Sequence, residues 1–168
     1  MGVGAHVMLS TAPPAVLHYR YLFVYTAAGG ESSPSRQGPK RSRSLEPMDI
    51  LRARNVTRDT IVADRVEVAA TSETRRRGLL GRTGLEAGTG LWLVPCEWVH
   101  MFGMKFAIDI LVLDRNNVVV GLQEGLKPGW IGKLFWGAHS TLELPLGAIR
   151  SSRTAKGDRI EWEEHTAG

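Results

Sequence analysis

Cysteine is almost missing from this 168-residue chain: Cys96 stands alone. A single thiol excludes an intrachain disulfide and any multi-cysteine zinc site. Long apolar runs are missing too. No stretch approaches the roughly 18–20 apolar residues that a membrane-spanning helix needs, which argues against a transmembrane segment. Nor does one sign of charge dominate. Lys and Arg number 21 against 17 Asp and Glu, a formal net charge of +4. Residues 1–47 hold five of the basic and two of the acidic side chains, which leaves 16 basic and 15 acidic in 48–168, a net +1. A body so close to neutral is not expected to bind nucleic acid. Nucleophile elbows, HExxH pairs and phosphate loops are absent as well. What is present is ordinary globular composition, 43% hydrophobic and 23% charged, which excludes wholesale disorder.

Composition divides the chain at Met48. Residues 31–47 are mostly Ser, Pro, Arg and Gly, too poor in apolar area to offset chain entropy. The expectation for residues 1–47 is a disordered leader, or an upstream extension of a reading frame that starts at Met48. The apolar run Tyr21 to Ala28, preceded by Arg20, resembles a signal-peptide core. It begins about twenty residues in, with no charged segment at the N-terminus. A cytoplasmic location is therefore expected, with export as the alternative. Residues 48–168 are expected to form a single β-rich domain.

Within that body, Thr60 to Val68 ends in strict alternation, Val66 and Val68 against Arg65 and Glu67, the pattern of a half-buried strand. Thr71 or Ser72 can cap a short helix over about 72–80, with Gly81 as its stop. The Arg75–Arg77 run reads as a solvated helix face, with phosphate binding as the sharper alternative. The glycine-rich loop 81–90 follows a helix and precedes a strand, the reverse of a phosphate cradle. Trp98 to Phe106 and Ile108 to Leu113 read as strands, the second so aliphatic that both faces should be buried. Asn116-Asn117 fits a tight turn into Val118 to Leu122, making a hairpin. The predicted fold is mainly β, a compact sandwich or squat barrel of short, largely antiparallel strands with one short helix. Asn55-Val56-Thr57 matches a glycosylation acceptor and is assigned no role.

Several motifs recur in a fixed order: Arg77-Gly78-Leu79-Leu80-Gly81-Arg82, then Gly88-x-Gly90-Leu91, then Val99-His100-Met101-Phe102-Gly103-Met104-Lys105-Phe106-Ala107-Ile108-Asp109. Leu142-Glu143-Leu144-Pro145-x-Gly147 and Gly157-Asp158 complete the set. In that order and spacing the chain resembles domain-of-unknown-function family 192, an uncharacterised prokaryotic family, from about Val56 to Trp162. Gly103 and Ala107 depart from the residues that members often carry there. The resemblance implies a compact β-rich single domain and no established activity, ligand or catalytic set.

The candidate site residues follow from side-chain chemistry. His100 is the best general acid–base candidate, since its ordinary pKa of about 6.5 sits near neutrality. Asp109 lies inside an aliphatic strand, and a buried carboxylate must be bonded or paired; Arg82, Arg77 and Lys105 are its possible partners. Glu143, between Leu142 and Leu144, should face outward on a half-buried strand. The motifs that carry the resemblance include both carboxylates, so Asp109 and Glu143 can be imagined as a pair dividing acid and base roles. Cys96, His100 and Met104 are weak Cu(I) candidates. In one straight strand His100 and Met104 would lie about 13 Å apart, at roughly 3.3 Å per residue, so a shared metal needs a bend at Gly103. Trp130 and Trp136, with Phe135, can form an aromatic rim. The favoured expectation is a non-catalytic module binding a small molecule or a protein at His100, Met104, Asp109, Glu143, Arg82, Trp130 and Trp136, without a cofactor. The alternatives are a hydrolase-like enzyme using His100 with Asp109 or Glu143, and a Cu(I)-handling protein.

Overall fold

The computed structural model describes residues 50–165. The leader expected over 1–47 and its apolar run lie outside the described residues. Among the described residues seven strands form one sheet: β1 (Ile50–Asn55), β2 (Thr60–Ala69), β3 (Thr89–Leu93), β4 (Ile108–Leu113), β5 (Val119–Leu126), β6 (Ser140–Pro145) and β7 (Ile160–Glu164). Their spatial order is β5-β4-β6-β3-β2-β1-β7. Every pairing is antiparallel except β2 with β3. A parallel neighbour needs a long crossover rather than a tight turn. Here the crossover carries helix α1 (Ser72–Arg77) and the glycine-rich loop.

The sheet curls until its two edges meet. Val118, entering β5, bridges Arg159, entering β7, and the Val119 amide donates to the Asp158 carbonyl at 2.8 Å. The result is a squat, partly closed barrel whose edge strands meet at one corner. Side chains from β1, β2, β4, β6 and β7 share one buried cluster, including Ala53, Val66, Leu111, Leu142, Leu144 and Ile160. Strands that distant in the sheet order touch only across its concave side. The second cluster covers the convex side, where Leu79, Val99 and Met101 from loops pack on Leu91, Leu93, Ile108, Ile110 and Val112. With both sides covered, all six residues of β4 are buried, as its aliphatic run predicts.

Local chemistry sets the boundaries. Thr71 caps α1 by accepting the Thr74 amide at 3.1 Å, and the Thr71 amide donates back to the Thr74 hydroxyl, a capping box. The helix stops at Gly78, three residues before the predicted stop at Gly81. Asp114 builds the β4–β5 turn: its carboxylate accepts the amides of Asn116 at 2.8 Å and Val118 at 2.9 Å, while Asn117 takes φ +60°.

Two further readings need correction. A second helix, α2 (Ala148–Ser152), joins the one predicted; Ile149 from it plugs the concave core. Trp98 to Phe106 is not a strand. Only His100 bridges, to Ile131, and the chain turns back at Gly103, φ +80°, with the Met104 amide donating to the Met101 carbonyl. Asn55 of the acceptor-like triplet is buried, and its side-chain carbonyl accepts the Thr57 and Arg58 amides. It is a turn-forming residue with no room for a glycan.

Candidate functional site

Strand register decides which side chains share a face. Glu143 of β6 pairs with Leu91 of β3 and with Ile110 of β4, and Leu91 pairs with Glu67 of β2. Directly paired residues point to the same side of a sheet. The convex face therefore carries the row Glu67, Leu91, Glu143, Ile110, with a carboxylate on each flank of Leu91. Asp109 pairs with Leu144 and projects to the opposite, concave face. The imagined Asp109–Glu143 pair does not exist: the sheet lies between the two carboxylates.

Asp109 has other partners. Its Oδ1 accepts the Gly125 amide at 3.0 Å, and its Oδ2 accepts the amides of Gly147 at 2.9 Å and Ile149 at 3.2 Å. Three backbone donors satisfy a fully buried carboxylate, with no cation in direct hydrogen bond among the described residues. None of Arg82, Arg77 or Lys105 plays the partner's role.

Glu143 is the opposite case. It is only 6% exposed, a reversal of the outward placement that the Leu-Glu-Leu pattern suggests. The pattern misleads because β6 is a central strand whose polar-looking side is roofed by the segments around α1 and after β3. Its Oε2 is buried without a hydrogen-bond partner among the described residues. Burial pushes its carboxyl up to about 7, opposed by the charge of Arg82. Such a group is costly to keep.

Arg82 stands over this row. Its Nη1 and Nη2 donate to the two oxygens of Glu67 at 2.8 and 2.6 Å, a fork-to-fork ion pair. The turn that delivers it is short: the Leu80 amide donates to the Arg77 carbonyl, the Arg82 amide to the Leu79 carbonyl, and Leu79 is buried as a pin. Arg75 ties the helix down by donating to the carbonyls of Ala70 and Val94. Between helix, turn and β3 lies a cleft of about 450 Å³ lined by Thr74, Arg77, Gly78, Leu80, Gly81, Arg82 and Leu91. Of the Arg75–Arg77 run, then, one residue is a tether and another, Arg77, a cleft wall.

The far bank of this region is the segment after β3. Cys96 donates its thiol to the Trp98 carbonyl at 3.2 Å. Burial pushes that thiol up, the nearby Glu143 adding to the effect, which makes it a poor nucleophile. Val99 and Met101 point into the core, whereas Trp98, His100 and Phe102 are exposed. The three rings form a shelf: Trp98 meets His100 edge-on at 6.1 Å and His100 stacks on Phe102 at 5.1 Å. Leu80 links shelf and cleft, since it lines the cleft and approaches the Gly103 turn beside Phe102.

The predicted site residues therefore separate. Glu143 and Arg82 come together, with Cys96 close by. His100 belongs to the aromatic shelf, and no hydrogen bond joins its side chain to either carboxylate among the described residues. Met104 packs against the convex core. Trp130 and Trp136 are exposed, 56% and 99%, while Phe135 between them folds onto that core. No cluster of three or more His, Cys, Asp and Glu side chains is arranged for a metal among the described residues. Sequence reasoning passed over Glu67, although its place on the polar side of an alternating strand was the available signal. It also passed over the exposed phase of Trp98-x-His100-x-Phe102.

A single curled, mainly antiparallel sheet with a loop-roofed convex face defines the class of domain. The chain belongs to the DUF192 family: that family's model, described as "Uncharacterized ACR", matches residues 53–162. It is 31% identical over 114 residues to a UPF0127 protein of Thermococcus sibiricus, covering 65% of this chain and 73% of that one. A solved protein of unknown function from Novosphingobium aromaticivorans shares the fold with a TM-score of 0.60 at 19% identity, over 80% of this chain and all of that one. Another, from Sinorhizobium meliloti and described as a proposed transcription regulator, gives a TM-score of 0.57 at 19% identity, over 68% of this chain and 92% of that one. At such identity these two establish the fold alone. No helix among the described residues is long and apolar enough to cross a membrane.

Proposed function

We propose that residues 48–168 form a non-catalytic module that binds a small molecule in the cleft between α1 and β3, with the aromatic shelf as its rim. One observation carries the reading. Glu143 is kept buried beside the cleft, with Oε2 unpartnered and a pKa of about 7. A group so placed weakens the fold it sits in, and unsatisfied buried polar groups of that kind collect at functional sites. Its neighbours Leu91 and Arg82 both line the cleft, and Arg82 and Glu143 come from separate motifs that carry the family resemblance. The hydrolase alternative finds less support, because His100 is on the shelf and Asp109 is on the other side of the sheet.

The test is the melting temperature of the full chain against a panel of carboxylates, amines, neutral metabolites, sugars and Cu(I). A ligand that binds only the folded state raises that temperature. At least one small-molecule class should do so, and the double variant Arg77→Gln/Arg82→Gln should abolish the rise. A flat panel, or a rise that the double variant leaves intact, would overturn the reading. A response to Cu(I) alone would do so in favour of the metal-handling alternative. The expected cytoplasmic location belongs to the same proposal. It is in keeping with a chain whose one cysteine leaves no intrachain disulfide to form, and recovery of the protein from the medium or the periplasm would remove it.

A further inference from the structure

We propose that the ligand of this cleft is a small carboxylate, gripped by Arg77 and Arg82, with the buried Glu143 behind Arg82 and Leu91. The proposal rests on the binding reading above and names its ligand class.

The lining argues for an anion. Its polar side chains are Thr74, Arg77 and Arg82, with no carboxylate among them. The Thr74 hydroxyl is already engaged in the Thr71 capping box. Arg77, exposed in the last turn of α1, makes no ion pair among the described residues. Arg82 spends its Nη1 and Nη2 on Glu67, but a guanidinium has five N–H donors, so further donors remain for a ligand. The cleft thus offers planar N–H forks on its walls and two leucines, Leu80 and Leu91, for an apolar skeleton. Carboxylates match such forks in a bidentate manner.

Glu143 distinguishes an anion from a cationic ligand. It leaves the sheet beside Leu91, one strand spacing of about 4.8 Å away. Facing it are Arg82 from the turn after α1 and Cys96 from the segment after β3, with Glu67 two strands off on β2. The adjacent residue of β4, Ile110, carries no charge. Of these only Arg82 favours the ionised form. A bound carboxylate offsets the charge of Arg82 and so favours the proton on Glu143, which sits behind the lining residues Leu91 and Arg82. An ammonium ligand would meet two guanidinium groups instead and would need Glu143 ionised against its burial. Carboxylate binding is therefore linked to proton retention and weakens as pH rises.

Calorimetric titration of the full chain tests this with succinate and benzoate as probes, and succinamide and inorganic phosphate as comparisons. Both carboxylates should bind, about fivefold or more tightly at about pH 6 than at about pH 8, and succinamide should not. Arg77→Gln, at an exposed position, should weaken binding about tenfold with the melting temperature unchanged. Glu143→Gln should still bind but lose the pH dependence. Phosphate binding as tightly as succinate would overturn the choice of carboxylate, as would equal affinity at the two pH values. If neither carboxylate binds while a neutral or amine compound of the earlier panel does, the ligand class falls and the binding reading stands. If nothing binds, both fall.

Discussion

The Asp109 carboxylate accepts the Gly147 amide at 2.9 Å, joining the middle of the sheet to the start of α2. Gly147, at φ +90°, has no side chain with which to cap that helix. A strand residue 38 positions earlier does so instead, holding the Ile149 amide as well and the Gly125 amide of β5 on its other oxygen. Ile149 then plugs the concave core. The Ile-Asp motif of the family resemblance is in this way a structural clamp, on the side of the sheet away from the cleft.

Removing the clamp should cost stability without cost to binding. Asp109→Ala leaves three amide donors with no acceptor, and each buried, unsatisfied group costs about 1–3 kcal/mol. Some will find water, so a loss of roughly 3–5 kcal/mol in urea unfolding is expected. Ligand affinity of the folded fraction should stay within about twofold of the parent. A variant of normal stability and lost affinity would place Asp109 back in the site.

Glu143 imposes the opposite pH signature from most acids. Its folded pKa is raised from 4.5 to about 7, so between those values the folded state holds a proton that the unfolded chain has released. Stability on this account is full below about pH 4.5, falls as pH rises and levels off above about pH 7, a change of roughly 3 kcal/mol. Glu143→Gln, which cannot ionise, should be the more stable protein at about pH 8 and should lose this slope. Melting curves across the pH range decide it: an unchanged slope in the variant would assign the dependence to another group.

At the barrel's other side a carboxylate acts in the usual sense. Asp158 Oδ2 accepts Asn55 Nδ2 at 2.9 Å and the Ala155 amide at 2.8 Å, and Arg58 Nε lies 3.0 Å from it. Burial raises its pKa, but those hydrogen bonds outweigh burial and hold it below the ordinary 3.8. The stability it contributes is therefore present above that value and lost as pH falls through the folded pKa. Asp158→Asn should destabilise by about 2–3 kcal/mol near neutrality, since an amide cannot accept all of these donors. The gap to the parent should close in acid. A gap of constant size from neutral pH down to strong acid would show that ionisation of Asp158 plays no part.

Local chemistry was legible in the sequence, and roofing was not. The Asn116-Asn117 turn and the Thr71 cap each depend on residues within a few positions of one another, and the doubly buried β4 shows in its own nearly unbroken aliphatic run. The burial of Glu143 depends on segments about 40–75 residues earlier that fold across its strand, so Leu-Glu-Leu resembled a solvated edge. The Trp98-x-His100-x-Phe102 alternation is real, but in-and-out phasing needs only an extended segment, and Gly103 turns this one back before it can join the sheet. Arg82 was visible as a candidate. Its fork on Glu67 spans 15 residues and a crossover, a distance over which no periodicity speaks.

In the loop carrying Trp130 and Trp136, one packing contact is close enough for a single methyl group to break it. Phe135 packs so closely on Gly121 of β5 that a Cβ there would overlap its ring. The first part of the loop is held separately, the Met101 amide donating to the Trp130 carbonyl at 2.8 Å and the Gly132 amide to the Val99 carbonyl at 3.0 Å, and the Lys133 amide donates to the Gln123 side chain at 3.1 Å. Gly121→Ala must push Phe135 out of the convex core, an overpacking cost of about 1–3 kcal/mol. Phe135→Leu alone costs stability by leaving space, yet combined with Gly121→Ala it makes room for the new methyl. The double variant should therefore be more stable than the sum of the single effects by about 1 kcal/mol or more, measured as a double-mutant cycle in urea. Trp136 is already almost fully exposed, so the fluorescence change on Gly121→Ala should come from Trp130 and Trp98. Strict additivity in the cycle would mean that Phe135 does not pack against Gly121 of β5.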